Sequence, residues 1–140
     1  MSMQQNTGKS ALGLDGNVAA LLGYIIWVIA LISIIMEKEN RFVRFHAIQA
    51  LLYDAAFVVL YIVLAIVQVL VMALSVGAAA AAGDAGGAIG LILWLISLLI
   101  WMVVPLIMLI GLIFAAVKAF QGQMYKLPIV GNMAEKWAGN

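Results

Sequence analysis

The chain contains no cysteine and only one histidine, His46. The absence of cysteine excludes disulfide bonds and thiolate chemistry, and a single histidine is a poor supply of ligands for a zinc site. Charge is also scarce, and the net charge of +1 is too small to indicate a nucleic-acid partner. The motifs of zinc proteases, phosphate-binding loops and serine hydrolases are missing. We therefore expect no enzyme, no cofactor, no metal site and no nucleic-acid partner.

Apolar residues make up most of the sequence. Hydrophobic residues account for 67% of the 140 residues and charged residues for 9%, whereas soluble domains carry about 25% charged residues. A chain of this length cannot bury so much apolar surface in its own core, so the lipid bilayer must cover it. Because about 20 residues cross the hydrocarbon layer, the apolar runs predict an all-α polytopic membrane protein with three transmembrane helices, near 17–37, 47–76 and 88–120.

The polar residues 1–16 come before the first apolar run. Their composition predicts a mobile N-terminal tail, with Asp15 or Asn17 capping the first helix. A secretory signal peptide is the alternative for the run that follows. That run, residues 18–36, is longer than the core of a signal peptide, and a polar Glu-Lys-Glu-Asn sequence follows it. We interpret it as a retained transmembrane helix.

The third apolar run leaves two interpretations open. The glycine-rich residues 77–88 around Asp84 predict a short loop, or a frayed helix end followed by a turn, before this run. Pro105 then allows either one kinked helix or two short helices. Two spans of about 15 residues would each be marginal, and no polar residue near Pro105 could form a turn in water. We favour one kinked helix, and expect residues 17–120 to form the transmembrane domain.

The C-terminal residues 121–140 are more polar and more aromatic than the runs before them. Ile129, Met133 and Trp137 recur every four residues, which places them on one face of a helix. The pattern predicts a short interfacial segment that lies on the membrane surface. A disordered tail is the alternative.

The distribution of Lys and Arg predicts the orientation. With three spans, the charged loop 37–46 and the C-terminal segment share one side of the membrane, which receives six of these residues, and Lys9 alone lies on the other side. Positive residues remain in the cytoplasm. We therefore expect a cell (plasma) membrane protein with its N-terminus outside and its C-terminus in the cytoplasm.

A polar stripe follows the second predicted helix. Asp54, Tyr61, Gln68 and Ser75 recur every seven residues and so remain on one helical face. Asp54 is the one acid well inside an apolar run, where a charge indicates a function by default. One interpretation is a polar pathway through the membrane. The interpretation that we favour is hydrogen bonding between helices, with Asp54 paired to Lys118 or to an arginine of the loop.

Two further groups of residues are candidates for interactions. Arg41, Arg44 and His46 of the loop are suited to anchoring on lipid phosphate or on the acidic surface of a partner. Small residues spaced four apart let another helix approach closely. The packing candidates are Ala19, Gly23, Gly111, Ala115 and Ala119.

Two stretches resemble a known family. The sequence Glu37-Lys-Glu-Asn-Arg-Phe-Val-Arg-Phe-His46, followed by Ala-Ile-Gln-Ala-Leu51, resembles the signature of a family of small prokaryotic membrane proteins of unknown function. The sequence Tyr125-Lys-Leu-Pro-Ile-Val-Gly-Asn132 resembles the C-terminal signature of the same family. The family is grouped with the chloroplast inner-envelope import component of twenty kilodaltons (Tic-twenty-like). The resemblance covers residues 14–137 and implies a helical integral membrane protein with no assigned activity.

Two functions of different classes are consistent with these features. The first is a structural or interaction subunit that packs with itself as a homo-oligomer, or with a larger membrane complex. The alternative is a channel or a protein-translocation component, which the resemblance to the plastid relatives implies. No catalytic residues come with the resemblance.

Overall fold

A computed structural model describes residues 7–139. Four helices follow one another, α1 (Gly16–Ile25), α2 (Trp27–Met36), α3 (Arg41–Phe120) and α4 (Val130–Ala138). Outside the helices, the described residues make one isolated antiparallel bridge between Lys9 and Asp15. The predicted all-α class is confirmed.

The long helix α3 is interrupted once. Gly83 has φ 54° and ψ −129°, a left-handed conformation that glycine adopts without steric cost. It divides α3 into a first arm, residues 41–82, and a second arm, residues 84–120. The predicted loop over residues 77–88 was therefore too long, because Gly83 is the residue of this stretch that leaves the helical conformation. The second arm continues through Pro105, as expected for one helix.

The described chain divides into two compact units. The first unit comprises residues 7–56 and 109–139, and the second unit comprises residues 57–108. In the second unit the two arms run antiparallel and pack face to face. The rings of Tyr61 and Trp101 lie 5.0 Å apart, and a Cβ built on Gly90 would lie 3.2 Å from the Ser75 Cβ.

Small residues allow this close approach near the turn of the second unit. A Cβ on Gly86 would collide with the backbone carbonyl of Ala78, so residue 86 must be glycine for the arms to keep this spacing. Gly86, Gly90 and Ser97 are buried, at intervals of four and seven residues along the second arm. This interval keeps them on the face that meets the first arm.

The first apolar run forms two helices, so the predicted single helix over residues 17–37 was wrong. Ile26 has the extended values φ −126° and ψ 98° and separates α1 from α2. A β-branched residue adopts this conformation readily. Gly23, one of the packing candidates, lies against Ala30, whose Cβ would be 3.6 Å from a Cβ on the glycine.

The two short helices fold back on each other. The backbone N–H of Ala11, before α1, donates to Glu37 Oε2, after α2, at 2.7 Å. A straight helix over the same run would place these residues about 30 Å apart. The predicted arrangement, with the N-terminal residues and loop 37–46 on opposite sides of the membrane, is therefore not confirmed.

Among the described helices, α3 is the one that is long and apolar enough to cross a membrane, by length and composition. The helices α1 and α2 have ten residues each, which is about 15 Å of helix and half of the hydrocarbon thickness. The prediction of three transmembrane helices is not confirmed.

The core of the first unit is built largely from alanine. Helices α1 and α2, the start of the first arm and the end of the second arm meet there, with Leu127 and Val130 from the C-terminal part. Small side chains let these helix backbones approach closely. The buried alanines of this core are Ala20, Ala30, Ala47, Ala50, Ala115, Ala116 and Ala119.

The predicted N-terminal tail is in part a folded segment. Residues 1–6 lie outside the described residues, and residues 7–15 fasten to the chain before α3 through the Asn40 side chain, which donates to the Thr7 carbonyl at 2.7 Å. Asp15 makes no side-chain hydrogen bond to the first turn of α1. Its carboxylate lies 2.6 Å from Lys9 Nζ instead, so the predicted capping role was wrong for Asp15.

Candidate functional site: a buried polar network in the first unit

The start of α3 sets the position of the site. Asn40 is the N-cap residue, and its side chain accepts a hydrogen bond from the backbone N–H of Val43 at 3.2 Å, which satisfies one free donor of the first turn. The helix therefore begins at Arg41 and not after residue 46, so the predicted loop 37–46 was too long. His46 and Gln49, three residues apart, then lie on one face of α3.

Three buried side chains meet on this face. Tyr24 of α1 places its hydroxyl 3.0 Å from His46 Nδ1 and 2.6 Å from Gln49 Nε2. All three residues are buried. His46 Nε2 lies 3.0 Å from the carbonyl oxygen of Gln123, so the cluster extends to the segment after α3. We call these groups, together with the backbone of residues 125–127, the polar network.

The groups at the two ends of the polar network, the Gln123 carbonyl and the Gln49 amide, determine which group donates in each hydrogen bond. A carbonyl oxygen can only accept, so His46 Nε2 carries the proton and donates to Gln123. In the neutral ring Nδ1 is then an acceptor, and it accepts from the Tyr24 hydroxyl. The same hydroxyl accepts from Gln49 Nε2. Every member is thus satisfied without charge, and a second proton on His46 would leave the Tyr24 hydroxyl hydrogen without an acceptor here.

Gln49 recognises the backbone of the C-terminal segment. Its Nε2 donates to the carbonyl of Tyr125 at 3.1 Å, and its Oε1 accepts from the N–H of Leu127 at 3.0 Å. A side-chain amide thus pairs with backbone groups two residues apart. Gly131 leaves room for this arrangement, since a Cβ there would lie 2.8 Å from Gln49 Oε1.

Aromatic rings surround the imidazole. The ring centroids of Phe42 and Phe45 lie 4.6 Å and 4.9 Å from that of His46, with edge-on geometry. The site therefore excludes water around a neutral ring, and unmet hydrogen bonds there would be costly. The arrangement fastens α1, α3 and the segment after α3 together.

His46 does not lie in an exposed loop with the other anchoring candidates. It is fully buried, whereas Arg41 is exposed and Arg44 is half-buried in the first turns of α3. The Nε of Arg44 is buried and has no hydrogen-bond partner among the described residues. The structure thus separates the one histidine from the two arginines with which the sequence grouped it.

Asp54 is half-buried on the first arm, and its predicted pairing with Lys118 was wrong. Within residues 7–139, its carboxylate makes no hydrogen bond or ion pair. Lys118 Nζ instead lies 5.5 Å from the centre of the Phe114 ring. The reason is the register of the arms. Tyr53 faces Gly111, with its hydroxyl 2.6 Å from the Cβ position of the glycine, and Lys118 lies seven residues further, about 10 Å along the helix.

The other three residues of the predicted stripe belong to the second unit. Tyr61 contacts the rings of Phe57 and Trp101. The Ser75 hydroxyl donates to the carbonyl of Val71 at 2.7 Å. The side-chain amide of Gln68 is half-buried and makes no hydrogen bond with another described residue.

The predicted packing residues all lie in the first unit. Ala19, Gly23, Ala115 and Ala119 are buried. Gly111 is half-buried against the Tyr53 hydroxyl.

The sequence reasoning missed Tyr24, Gly86 and the pairing function of Gln49. Tyr24 is the one hydroxyl-bearing aromatic residue inside the first apolar run, a position where a polar group needs a partner, and this signal could have been used. Among the described residues, no group of three or more His, Asp and Glu residues is placed to hold a metal ion.

Comparison with known proteins identifies relatives of the whole chain. The model of the magnetosome magnetite crystal formation protein family matches residues 10–134. A membrane protein of Methanocaldococcus jannaschii is 31% identical over 132 residues, which are 94% of this chain and 96% of the relative. A second membrane protein of that organism is 32% identical over 128 residues, 91% of this chain and 73% of the relative.

A third relative is a membrane protein of Archaeoglobus fulgidus, 30% identical over 127 residues, which are 88% of this chain and 95% of the relative. No solved structure matches the chain. The resemblance to a family of small prokaryotic membrane proteins is confirmed, but these comparisons do not show the predicted link to the chloroplast import component.

Proposed function

The chain belongs to the magnetosome magnetite crystal formation protein family, and we propose that it is a non-catalytic structural subunit of the cell membrane that packs with copies of itself or with a larger membrane complex. The polar network carries this proposal. Its buried side chains bind one another and the backbone of residues 123–127, so the chemically versatile groups are used to fasten helices.

Two carboxylates of the first unit also connect parts of the chain. Glu37 accepts from the backbone N–H groups of Ala11 and Asn40, and Glu135 pairs with Lys126 at 2.6 Å. These contacts hold the parts of the first unit together. The description of the family names magnetite crystal formation, and the first unit of this chain would contribute by holding other membrane components in place.

Gln68 supports the packing part of the proposal. An amide inside an apolar helix gains stability from a hydrogen bond across helices, and no described residue of this chain supplies one. A second copy of the chain would supply an identical amide, which is both a donor and an acceptor.

Measuring the size of the purified protein in mild detergent and in lipid nanodiscs tests this proposal. We expect an assembly larger than one chain, and Gln68→Leu should shift it toward the single chain. Val69→Leu, an exposed apolar neighbour, is the matched control. A wild-type protein that is a single chain in both media, with no co-purifying membrane protein, contradicts the proposal.

The proposed orientation places the N-terminal segment on the cytoplasmic side. The contact between Ala11 and Glu37 brings this segment to the end of α2, and the Asn17 side chain donates to the carbonyl of Phe120 at the end of α3. All Lys and Arg residues belong to the first unit, and the second unit has none. Because positive residues remain in the cytoplasm, this distribution supports a cytoplasmic location of the first unit. These residues are Lys9, Lys38, Arg41, Arg44, Lys118, Lys126 and Lys136.

Single cysteines test this orientation without background, because the chain has no cysteine of its own. Cysteines at Leu14 and Lys38 should react with an impermeant maleimide from the same side, and a cysteine at Asp84 from the opposite side. Reaction at Leu14 and Asp84 from one side would instead support three spans and overturn the fold-back of α1 and α2 in the membrane.

A channel or translocation component is the second candidate, and Asp54 favours it. Its carboxylate is half-buried and unpaired among the described residues, as expected for a group beside a water-filled path. Asp54→Asn should change ion flux in proteoliposomes under this proposal. Unchanged flux, or no flux in the wild-type protein, rejects it and leaves the structural subunit.

A further inference from the structure

A strained turn precedes α4. The backbone N–H of Val130 donates to the carbonyl of Pro128 at 2.8 Å, and Ile129 between them has φ 66° and ψ −66°. These values define the rarer, strained form of the γ-turn. Ile129 is the one described non-glycine residue with positive φ, and a β-branched side chain is a true outlier there.

The surrounding contacts hold this turn in place. The Leu127 N–H before the turn donates to Gln49 of the polar network at 3.0 Å. The Gly131 N–H after the turn donates to the carbonyl of Leu127 at 2.9 Å. Strained conformations persist only where the structure enforces them, and they concentrate at sites of function.

The strain does not serve internal packing. The Ile129 side chain is 80% exposed, and Trp137 and Met133, which share one face of α4, are 52% and 39% exposed. The face of α4 that carries Ala134 and Ala138 packs against Phe45 of α3. The turn therefore presents a large apolar side chain outward, where it makes no contribution to the core.

We propose that Ile129, Met133 and Trp137 form a lipid-insertion surface, in which the strained turn holds Ile129 in the boundary between headgroups and acyl chains. This proposal rests on the membrane location of the family and not on the proposed role in assembly.

The segment that leads into the turn lies against the second arm, whose exposed apolar residues support a lipid occupant. Tyr125, just before the turn, contacts the ring of Phe114 at 5.0 Å. Phe114, Ile113 and Ile110 are exposed apolar residues of that arm, and in a membrane protein such a surface meets lipid. Tryptophan prefers the membrane interface, and an amphipathic helix lies there with its apolar side buried.

A fluorescent probe on single cysteines tests the surface. The protein with Met133→Cys, labelled with an environment-sensitive dye, is placed in vesicles of phosphatidylcholine and phosphatidylglycerol that carry bromine on the upper acyl carbons. We expect strong quenching of this dye and weak quenching at the control site Asn132→Cys, which is exposed on the neighbouring polar edge.

Equal quenching at both sites would overturn the proposal. Quenching or protection at residue 133 that appears only when the protein is crowded in the vesicle would assign the surface to a second copy, and would also overturn the lipid assignment. Neither result depends on whether the protein forms the proposed assembly.

Replacing Ile129 separates insertion from folding. Ile129→Gly removes the apolar side chain and relieves the strain, since glycine accepts positive φ. The unfolding temperature of this variant in detergent should remain the same or rise. The equilibrium constant for insertion of the surface into the bilayer should fall about tenfold or more, because a buried aliphatic side chain is lost. A lower unfolding temperature, or unchanged quenching at residue 133, would show that Ile129 has a structural role and would refute the proposal.

Discussion

Replacing Gln49 by leucine should loosen the C-terminal segment more than any surface change. The side chain donates to Tyr24 and to the Tyr125 carbonyl and accepts from the Leu127 N–H. Leucine has a similar size but leaves the two backbone groups without partners. A buried backbone group without a hydrogen bond costs about 1–3 kcal/mol. The bond to the Leu127 N–H is buried and that to the Tyr125 carbonyl is part-buried, so we predict a loss of about 1–4 kcal/mol in the free energy of unfolding.

Unfolding in mixed detergent, followed by helical circular dichroism, measures this loss. Limited proteolysis adds a local measurement, because released residues 121–129 should be cut before the membrane arms. Gln121→Leu is the matched control, since Gln121 is exposed and its side chain makes no hydrogen bond with a described residue. A Gln49→Leu protein that unfolds like the wild type, to within about 0.5 kcal/mol, would refute the view that the polar network fastens this segment.

Two further substitutions test other contacts. Gly86→Ala should destabilise the second unit by about 1–3 kcal/mol, because the added methyl group would collide with the Ala78 carbonyl. Gly87→Ala is the control, since there is open space around Gly87, and it should be neutral or slightly stabilising. Thermal unfolding measures both. Tyr24→Phe should cost about 1–3 kcal/mol, because His46 Nδ1 loses its donor; chemical unfolding measures it, and a neutral result would mean that the hydroxyl is not part of the polar network.

Composition predicted the helical class, but not where the chain reverses. The fold-back at Ile26 lies between Ile25 and Trp27 with no glycine or proline, so nothing in the apolar pattern distinguishes it from the interior of a span. The turn at Gly83 was predicted within the right stretch, but the alanines around it remained helical because alanine has the highest helix propensity. Long-range contacts decide such reversals, and periodicity carries no information about them.

The sequence identified some residues of the site but not their partners. Asp54 and the other residues of its stripe recur every seven residues. Such a period indicates that the residues share one face of a helix, but it does not indicate which residue pairs with Asp54. His46 was identified as a candidate because it is the single histidine, but its predicted position in a loop was wrong. Asn40 caps α3, so the helix begins at Arg41. His46 therefore lies within the helix, and its ring is buried. The partners at residues 123–127 are backbone groups, which have no side-chain signature in a sequence.

The polar network also constrains the order of events during synthesis. The Leu127 N–H that satisfies Gln49 lies 78 residues later in the chain, and the Gln123 carbonyl that satisfies His46 lies 77 residues later. Until the ribosome has delivered this last part, His46 and Gln49 can pair with Tyr24, but His46 Nε2 and Gln49 Oε1 lack the backbone groups that they bind in the finished fold. A chain that ends before residue 123 would therefore keep both apolar arms of α3 but leave the polar network incomplete.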